Sequence, residues 1–212
     1  MDDRLTELST RDLIERLATS EPIPGGGSAS ALAGAMAAAL VQMVVALTTG
    51  RPAASAHEDV LGAIAAAARA GQSDLLRLTE ADAAAYDAVV RARRLPRDAE
   101  AERAERAIRI AAATREATLA PLETARIGAE ILGLAERLVP IANRNAISDV
   151  GVAALLAATA VRGAALNVQI NLPYLAADDA LRDEAPLALS QLLEGLDGRA
   201  EAIRHGVEER LG

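Results

Sequence analysis

Asp82 is the acid best placed for chemistry, because the residues around it put its carboxyl on an apolar helix face. Leu75, Leu78, Tyr86 and Val89 are spaced three or four residues apart around it, so the five share one face. A desolvated carboxyl needs a partner or stays protonated with a raised pKa. The pattern predicts either a general acid–base that could also bind ligand N–H groups, or a buried ion pair with an arginine.

A second acid, Asp149, closes a polar cluster that enters an apolar helix. The segment NRNAISD holds Asn143, Asn145, Ser148 and Asp149 within seven residues. An acid in the first helical turn is favoured by the helix dipole without any function. The cluster therefore predicts either the lining of a pocket or an elaborate N-terminal cap.

Two further segments could bind a ligand. Gly25, Gly26 and Gly27, followed by Ser28 as predicted N-cap, offer backbone N–H groups and the positive end of a helix dipole to an anion. The same glycines could serve only close backbone packing. The amides of Asn167 and Asn171 lie four residues apart on one face, and buried amides require partners, which either a polar ligand or the opposite helix could supply.

Composition excludes several classes of site. The chain has no Cys and no Lys, which removes thiolate ligands, cysteine nucleophiles, the lysine phosphate-binding loop and Schiff bases. His57 and His205 lack metal-ligand spacing and are expected on the surface, so no metal is predicted. A net charge of -8 and an aromatic content of 1% argue against nucleic-acid binding.

Alanine makes up about a quarter of the chain and favours helices throughout, so the expected fold is an all-α helical bundle with long antiparallel helices. We treat residues 1–212 as a single domain. Caps and breakers predict helices over about 9–19, 28–50, 55–94, 98–139, 148–169 and 186–210, with a fresh start or a kink at Pro121. The predicted N-caps are Ser9, Ser28, Ser55 and Ser148. The acidic N-terminal segment lacks the apolar region of a secretory signal, which indicates a cytoplasmic protein.

Two of these helices are almost free of charge. Residues 22–50 carry none, and residues 150–177 carry only Arg162. A helix that is apolar on all sides is buried on all sides or lies in lipid. Gln42, Thr48 and the lack of aromatic anchors argue against a membrane span. We therefore predict two central helices that a second subunit partly covers, in a homodimer.

The motifs together resemble a known family. PIPGGGSASALAGAMAAALVQMVVALTTGR, ADAAAYDAVVRARRLPRD, NRNAISDVGVAA and NVQINL occur in the order and spacing of the cyclodeaminase family, over about residues 10 to 175. This family comprises the C-terminal domain of formiminotransferase-cyclodeaminase and its stand-alone bacterial relatives.

The resemblance implies an all-helical, dimer-forming folate enzyme. Members convert 5-formimidoyltetrahydrofolate to 5,10-methenyltetrahydrofolate and release ammonia, and some relatives are methenyltetrahydrofolate cyclohydrolases. The tetrahydrofolate derivative is the substrate, and no cofactor is implied. The positions that match the family are Gly25, Gly26, Gly27, Ser28, Arg51, Asp82, Arg106, Asn143, Ser148, Asp149, Asn167 and Asn171. The chain departs from the family at Tyr86, where relatives often carry Phe, and in PAASA after Arg51.

Cyclodeamination suits these residues, since one folate nitrogen attacks the formimidoyl carbon of the same molecule. The enzyme must orient the reacting atoms and move a proton to the leaving amine. We expect Asp82 and Asp149 to divide proton transfer and pterin binding across one crevice, while the glycine segment holds an anionic or carbonyl part of the substrate. A non-catalytic helical oligomer that kept the scaffold is the alternative from a different class.

Overall fold

Seven α-helices make up most of residues 4–211, the part of the chain that this computed structural model describes. The helices are α1 (Thr10–Leu17), α2 (Gly26–Thr48), α3 (Glu58–Arg93), α4 (Glu100–Leu138), α5 (Ile147–Asn171), α6 (Leu181–Leu193) and α7 (Leu196–Leu211). Residues 4–211 contain no β-strand. The predicted all-α fold is confirmed.

Helices α2 to α5 form an antiparallel bundle. Helix α2 packs between α3 and α5, and α4 packs against the same two helices from the other side. Ser28 of α2 contacts Asp82 of α3, whereas Gln42 Nε2 donates to Gln72 Oε1 at 2.9 Å, so the two helices run in opposite directions. Helix α7 packs on α5, and α6 packs against α4 and α5. The bundle fixes which helix ends lie together, and therefore which predicted residues meet.

Small residues let the helices approach closely, which compensates for the scarcity of aromatic side chains. A Cβ at Gly34 of α2 would lie 3.0 Å from Leu75 Cδ1 of α3 and 3.3 Å from Ala160 Cβ of α5. A Cβ at Gly128 of α4 would lie 3.0 Å from Val161 of α5. An added Cβ would therefore be closer to its neighbours than ordinary packing allows, so glycine at these positions lets the helices approach one another.

Helix α2 and the segment Arg144–Tyr174 are long and apolar enough to cross a membrane by length and composition alone. Of their most apolar windows, 56% and 44% of the residues are buried within the chain. Helix α2 is a core helix of the bundle, and Gln42 and Thr48 hydrogen-bond inside the protein. Each helix nevertheless leaves one largely apolar stripe exposed, so a single chain does not bury either helix on every side.

Three predicted N-caps are wrong. Helix α2 begins at Gly26 with Gly25 as N-cap, and Ser28 lies inside the first turn, where its hydroxyl contacts Asp82 and the Thr79 carbonyl of α3 instead of capping the helix. Helix α5 begins one residue before Ser148, whose side chain is exposed. Ser55 lies in a 3₁₀ turn, where its hydroxyl donates to the carbonyl of Pro52 rather than capping α3.

Other helix boundaries come closer to the expectation. Ser9 caps α1 and accepts the Asp12 N–H, as predicted. Helix α3 runs as one piece to Arg93, and α4 continues through Pro121 without a new start. The single last helix is wrong, because Gly195 adopts a left-handed conformation with φ of 67° and separates α6 from α7.

Candidate functional site

A cavity of about 370 Å³ opens where the first turn of α2 meets the C-terminal third of α3, the first half of α4 and the last turns of α5. A volume of this size is typical of a small-molecule site. Six of the residues predicted from the sequence line it: Gly25, Gly26, Gly27, Asp82, Asn167 and Asn171. Positions up to 146 residues apart in the chain, Gly25 and Asn171, therefore share one site.

Asp82 is bound by Ser28 rather than by an arginine, so the ion-pair interpretation is wrong for the described residues. Ser28 Oγ lies 2.9 Å from Asp82 Oδ2 and 3.1 Å from the carbonyl oxygen of Thr79, and Ser28 is fully buried. The one hydroxyl proton of Ser28 can be donated to only one of these acceptors at a time. An ionised Asp82 accepts it. A protonated Asp82 donates to Ser28 Oγ, which then donates to Thr79, so both protonation states are satisfied.

Burial raises the pKa of Asp82 above its ordinary value, while hydrogen bonds from the Ser28 hydroxyl and backbone N–H lower it in part. The net direction is upward because desolvation penalises the charged form more than Ser28 stabilises it. A carboxyl with a raised pKa in a cavity can hold and release a proton closer to neutral pH. This is the property that acid–base catalysis requires.

Gly27 allows the carboxyl of Asp82 to rest on the first turn of α2. A Cβ at this position would lie 2.1 Å from Asp82 Oδ1 and 2.5 Å from Asp82 Cγ. A Cβ at Gly26 would instead meet only Asn167 Nδ2 at an ordinary 3.5 Å. The interpretation of the glycines as a means of close packing is therefore supported at Gly27, and the group that it admits is the acid of the site.

The two amides of α5 reach the cavity with their nitrogens already engaged. Asn167 Nδ2 donates to the carbonyl of Gly163 at 2.8 Å, and Asn171 Nδ2 donates to the carbonyl of Ala117 in α4 at 2.7 Å. These bonds orient both side chains within the wall of the cavity.

Both tyrosines of the chain line the cavity, and the chain has no Phe or Trp. Tyr86 and Tyr174 are 45% and 58% exposed, so their rings border the open space. The Arg93 guanidinium lies 5.3 Å from the centre of the Tyr174 ring, within cation–π range. Arg106, a predicted binding residue, donates to the backbone carbonyl of Arg93 and does not line the cavity.

Thr114 is a cavity residue that the sequence does not single out. Its Oγ1 is buried and has no hydrogen-bond partner within residues 4–211. The buried threonines Thr118 and Thr124 of the same helix each donate to the carbonyl four residues earlier. The sequence alone does not distinguish Thr114 from these two threonines, so only the structure identifies it as unpaired. Sequence reasoning also missed Tyr174 and its cation–π partner Arg93. The one signal that could have identified this pair is the rarity of aromatic side chains, since the chain has only two tyrosines.

The remaining four predicted residues lie at the opposite end of the bundle, so Asp82 and Asp149 do not share a cavity within one chain. Asp149 is in the first turn of α5 and Asn167 in its last turns, about 27 Å apart along the helix axis. Arg51, Asn143 and Ser148 lie at the same end as Asp149, next to the C-terminal end of α2. Sequence proximity to an apolar helix could not show which of its two ends carries the cavity.

Two of the four have structural partners. Arg51 Nε and Asn143 Nδ2 each donate to the carbonyl of Leu47 at 3.0 Å, which satisfies the C-terminal end of α2. The Asn143 backbone N–H donates to Thr48 Oγ1, and Asn143 Oδ1 accepts the Asn145 N–H. These bonds join the α4–α5 connection to α2 and favour the cap interpretation for Asn143 within one chain.

Two larger cavities, of about 790 and 810 Å³, lie beside the candidate site. The first is a groove between α3 and α4 whose walls are mainly alanine, and the second lies along the N-terminal segment among exposed charged side chains. Neither contains Asp82, the amides of α5 or a tyrosine. We therefore assign the candidate site to the smaller cavity, because chemistry and not volume identifies it.

The family model described as formiminotransferase-cyclodeaminase matches residues 9–189. The chain is 39% identical over 198 residues to a methenyltetrahydrofolate cyclohydrolase of Methylorubrum extorquens, with 92% of each chain covered. It is 30% identical to the formimidoyltransferase-cyclodeaminase of Mus musculus over 97% of its own length, but it spans only 38% of that protein.

Among solved structures, the fold is similar to the crystal structure of a formiminotetrahydrofolate cyclodeaminase from Thermotoga maritima. The TM-score is 0.85 at 25% sequence identity, and the match covers 97% of this chain and 98% of the other. The two chains therefore share the helical architecture from end to end.

Proposed function

The chain belongs to the formiminotransferase-cyclodeaminase family, and from this premise we propose that it is an enzyme acting at the one-carbon bridge of a tetrahydrofolate. The observation that carries the proposal is Asp82, an acid with a raised pKa in a cavity that also holds both tyrosines of the chain. The tyrosines suit a flat heterocycle, and Asp82 and the α5 amides suit its polar edge.

The leading reaction is cyclodeamination of 5-formimidoyltetrahydrofolate. N10 attacks the formimidoyl carbon and forms a C–N bond, and the N10 proton moves to the imine nitrogen. A second proton then converts that nitrogen to ammonia, its bond to carbon breaks, and 5,10-methenyltetrahydrofolate remains. Asp82 takes the N10 proton and returns it to the leaving nitrogen. Ser28 can hydrogen-bond to Asp82 whether the carboxyl is ionised or protonated, so the transfer leaves neither side chain unpaired.

The second candidate is hydrolysis of 5,10-methenyltetrahydrofolate, and its support is the Methylorubrum extorquens cyclohydrolase, a relative of matching length. Water adds to the methenyl carbon, the bond from that carbon to N5 breaks, and a proton is released with 10-formyltetrahydrofolate. Asp82 would accept a proton from the water and pass it to N5. Neither reaction requires a metal or a resident cofactor, since every step is an addition, an elimination or a proton transfer.

Two assays on the purified chain separate the candidates. Ammonia release from 5-formimidoyltetrahydrofolate would identify the cyclodeaminase, and loss of the methenyl absorbance without ammonia would identify the cyclohydrolase. Asp82→Asn is expected to lower kcat by about 10²- to 10⁴-fold, while folate binding stays within about tenfold. If the wild-type chain shows neither reaction and reduced folates do not raise its thermal midpoint, it is a non-catalytic oligomer instead.

The working unit in this proposal is a homodimer. The outer face of α2 carries the exposed residues Met36, Met43 and Leu47 and the half-buried Leu32 and Leu40, three or four residues apart, with Gln42 as its half-buried polar residue. The neighbouring exposed face of α5 adds Val152, Leu155, Leu166 and Ile170. Its one charge, Arg162, is paired with Asp197 of α7. Thr159 and Gln169 are the exposed polar residues of the α5 face besides Arg162. A largely apolar surface on two adjacent helices favours burial against a second copy.

We further propose that the two-fold axis lies perpendicular to α2 and α5. Such an axis pairs each helix antiparallel to its copy, so the start of α2 in one subunit lies near the end of α2 in the other. The cavity with Asp82 would then face the partner subunit's Asp149. This arrangement brings together the two groups of predicted residues that one chain holds about 27 Å apart.

A further inference from the structure

Pro121 interrupts the hydrogen-bond ladder of α4 next to the candidate site. It lies inside the helix and is buried. Because proline has no N–H, the carbonyl of Ala117 four residues earlier loses its helical donor, and the proline ring pushes that carbonyl outward. Ala117 is itself 7% exposed and lines the cavity. A buried carbonyl in this position needs another donor.

Asn171 is that donor. Its Nδ2 lies 2.7 Å from the carbonyl oxygen of Ala117, although the two residues belong to different helices and are 54 positions apart. An amide has one nitrogen end and one oxygen end, so this bond fixes which end faces α4. Asn171 also lines the cavity together with Asp82, so its orientation is part of the geometry of the site.

We propose that Pro121 is a positioning residue, whose function is to free the Ala117 carbonyl so that it orients the Asn171 amide toward the ligand. The proposal rests on the folate function proposed above. An alanine at position 121 would restore the missing N–H and complete the ladder of α4. The Ala117 carbonyl would then no longer need Asn171, and the amide would be free to rotate.

A double-mutant cycle tests the coupling, with wild type, Pro121→Ala, Asn171→Ala and the double variant. Each protein is unfolded with denaturant and titrated with 5-formyltetrahydrofolate, a chemically stable reduced folate. Pro186→Ala, at an exposed proline inside α6 that does not line the cavity, is the control for the loss of a helical proline. It is expected to bind like wild type.

In the stability measurement, Asn171→Ala should lower the denaturation midpoint of the wild-type protein, because it leaves the Ala117 carbonyl unpaired. The same substitution should change the midpoint little in the Pro121→Ala background, where position 121 supplies the donor. An equal loss in both backgrounds overturns the inference. This arm does not depend on any ligand.

In the binding measurement, Pro121→Ala should weaken folate binding about 3- to 10-fold without a lower denaturation midpoint. The double variant should bind folate as weakly as Asn171→Ala alone, because Pro121 affects binding only through the Asn171 side-chain amide. Wild-type affinity in Pro121→Ala, or losses that multiply in the double variant, overturn the inference. If the wild-type protein binds no folate, the proposed function fails, and the stability arm alone decides the Pro121–Asn171 coupling.

Discussion

Asp82 shows how one hydroxyl makes a buried acid usable. Ser28 lies within hydrogen-bond distance of both the carboxyl of Asp82 and the carbonyl of Thr79, so its proton can turn from one to the other. A buried carboxyl with a single fixed donor would be held in one ionisation state. The alternation lets Asp82 gain and lose a proton without leaving a buried polar atom unpaired.

The raised pKa of Asp82 predicts how stability depends on pH. Between the ordinary pKa of an aspartate, about 4, and the raised pKa in the folded protein, the folded state holds a proton that the unfolded state has lost. The free energy of unfolding therefore falls as pH rises through this window. Asparagine at position 82 does not titrate, so the free energy of unfolding of Asp82→Asn should rise relative to that of wild type as pH increases, until the folded carboxyl is fully ionised.

Denaturant unfolding at a series of mildly acidic to neutral pH values measures this difference. Asp74→Asn is the matched control, because it removes the same charge from a half-exposed position of the same helix. Parallel pH profiles for wild type and Asp82→Asn, after this correction, would contradict a raised pKa at Asp82.

At the scale of the helix, the first turn of α2 is shaped by the acid that packs on it. Gly27→Ala should displace the carboxyl of Asp82, since the new Cβ would lie 2.1 Å from Oδ1. We expect a loss of about 1–3 kcal/mol in the free energy of unfolding and a loss of activity comparable to Asp82→Asn. Chemical denaturation and the two folate assays measure both effects.

Gly26→Ala provides the comparison, because it lies in the same turn and its Cβ would meet Asn167 Nδ2 at an ordinary 3.5 Å. This variant should keep most of its stability and activity. If both variants behave alike, the helix start is sensitive to any side chain, and the specific contact between Gly27 and Asp82 does not explain the effect.

The sequence predicts the helices far better than their ends. Alanine content and apolar spacing identify α2 to α5, and Ser9 is a correct cap. Ser28 and Ser148 are wrong as caps, because a serine one or two residues inside a helix has the same local pattern as one at its start. Cap chemistry is local, whereas the helix start here depends on what packs against the turn.

The predicted site residues also match the structure only in part. Asp82, the glycines, Asn167 and Asn171 line one cavity; the resemblance to the family had grouped them, whereas apolar helix spacing alone predicted only that Asp82 points inward. Asp149 is not placed with them in one chain, since helix spacing says nothing about which end of α5 borders the cavity. Thr114 escapes notice because its missing hydrogen bond exists only in three dimensions.

At the scale of the molecule, the separation of Asp82 from Asp149 predicts complementation between subunits. Asp82→Asn and Asp149→Asn should each be inactive alone. If each site takes Asp82 from one subunit and the partner subunit's Asp149, dissociated and reassociated mixtures form heterodimers with one intact site. Such mixtures should recover about a quarter of the wild-type activity at equal proportions. The activity of the mixture, with dimer formation followed by light scattering, measures this.

Mixing Asp82→Asn with Asp82→Ala is the control, because every heterodimer then lacks Asp82 in both sites and no activity should return. Full activity of Asp149→Asn alone would remove Asp149 from the site. A mixture that stays inactive although heterodimers form would show that the two acids do not act across the interface.

The placement of both tyrosines around one cavity gives the protein a built-in spectroscopic reporter. With no tryptophan in the chain, its near-ultraviolet emission and circular dichroism come from Tyr86 and Tyr174. A ligand in the cavity that absorbs where tyrosine emits would quench this signal by energy transfer, beyond the attenuation that the same free ligand causes in a solution of tyrosine. Titrations can therefore follow occupancy in the unlabelled wild-type protein, and Tyr86→Leu and Tyr174→Leu would show which ring reports.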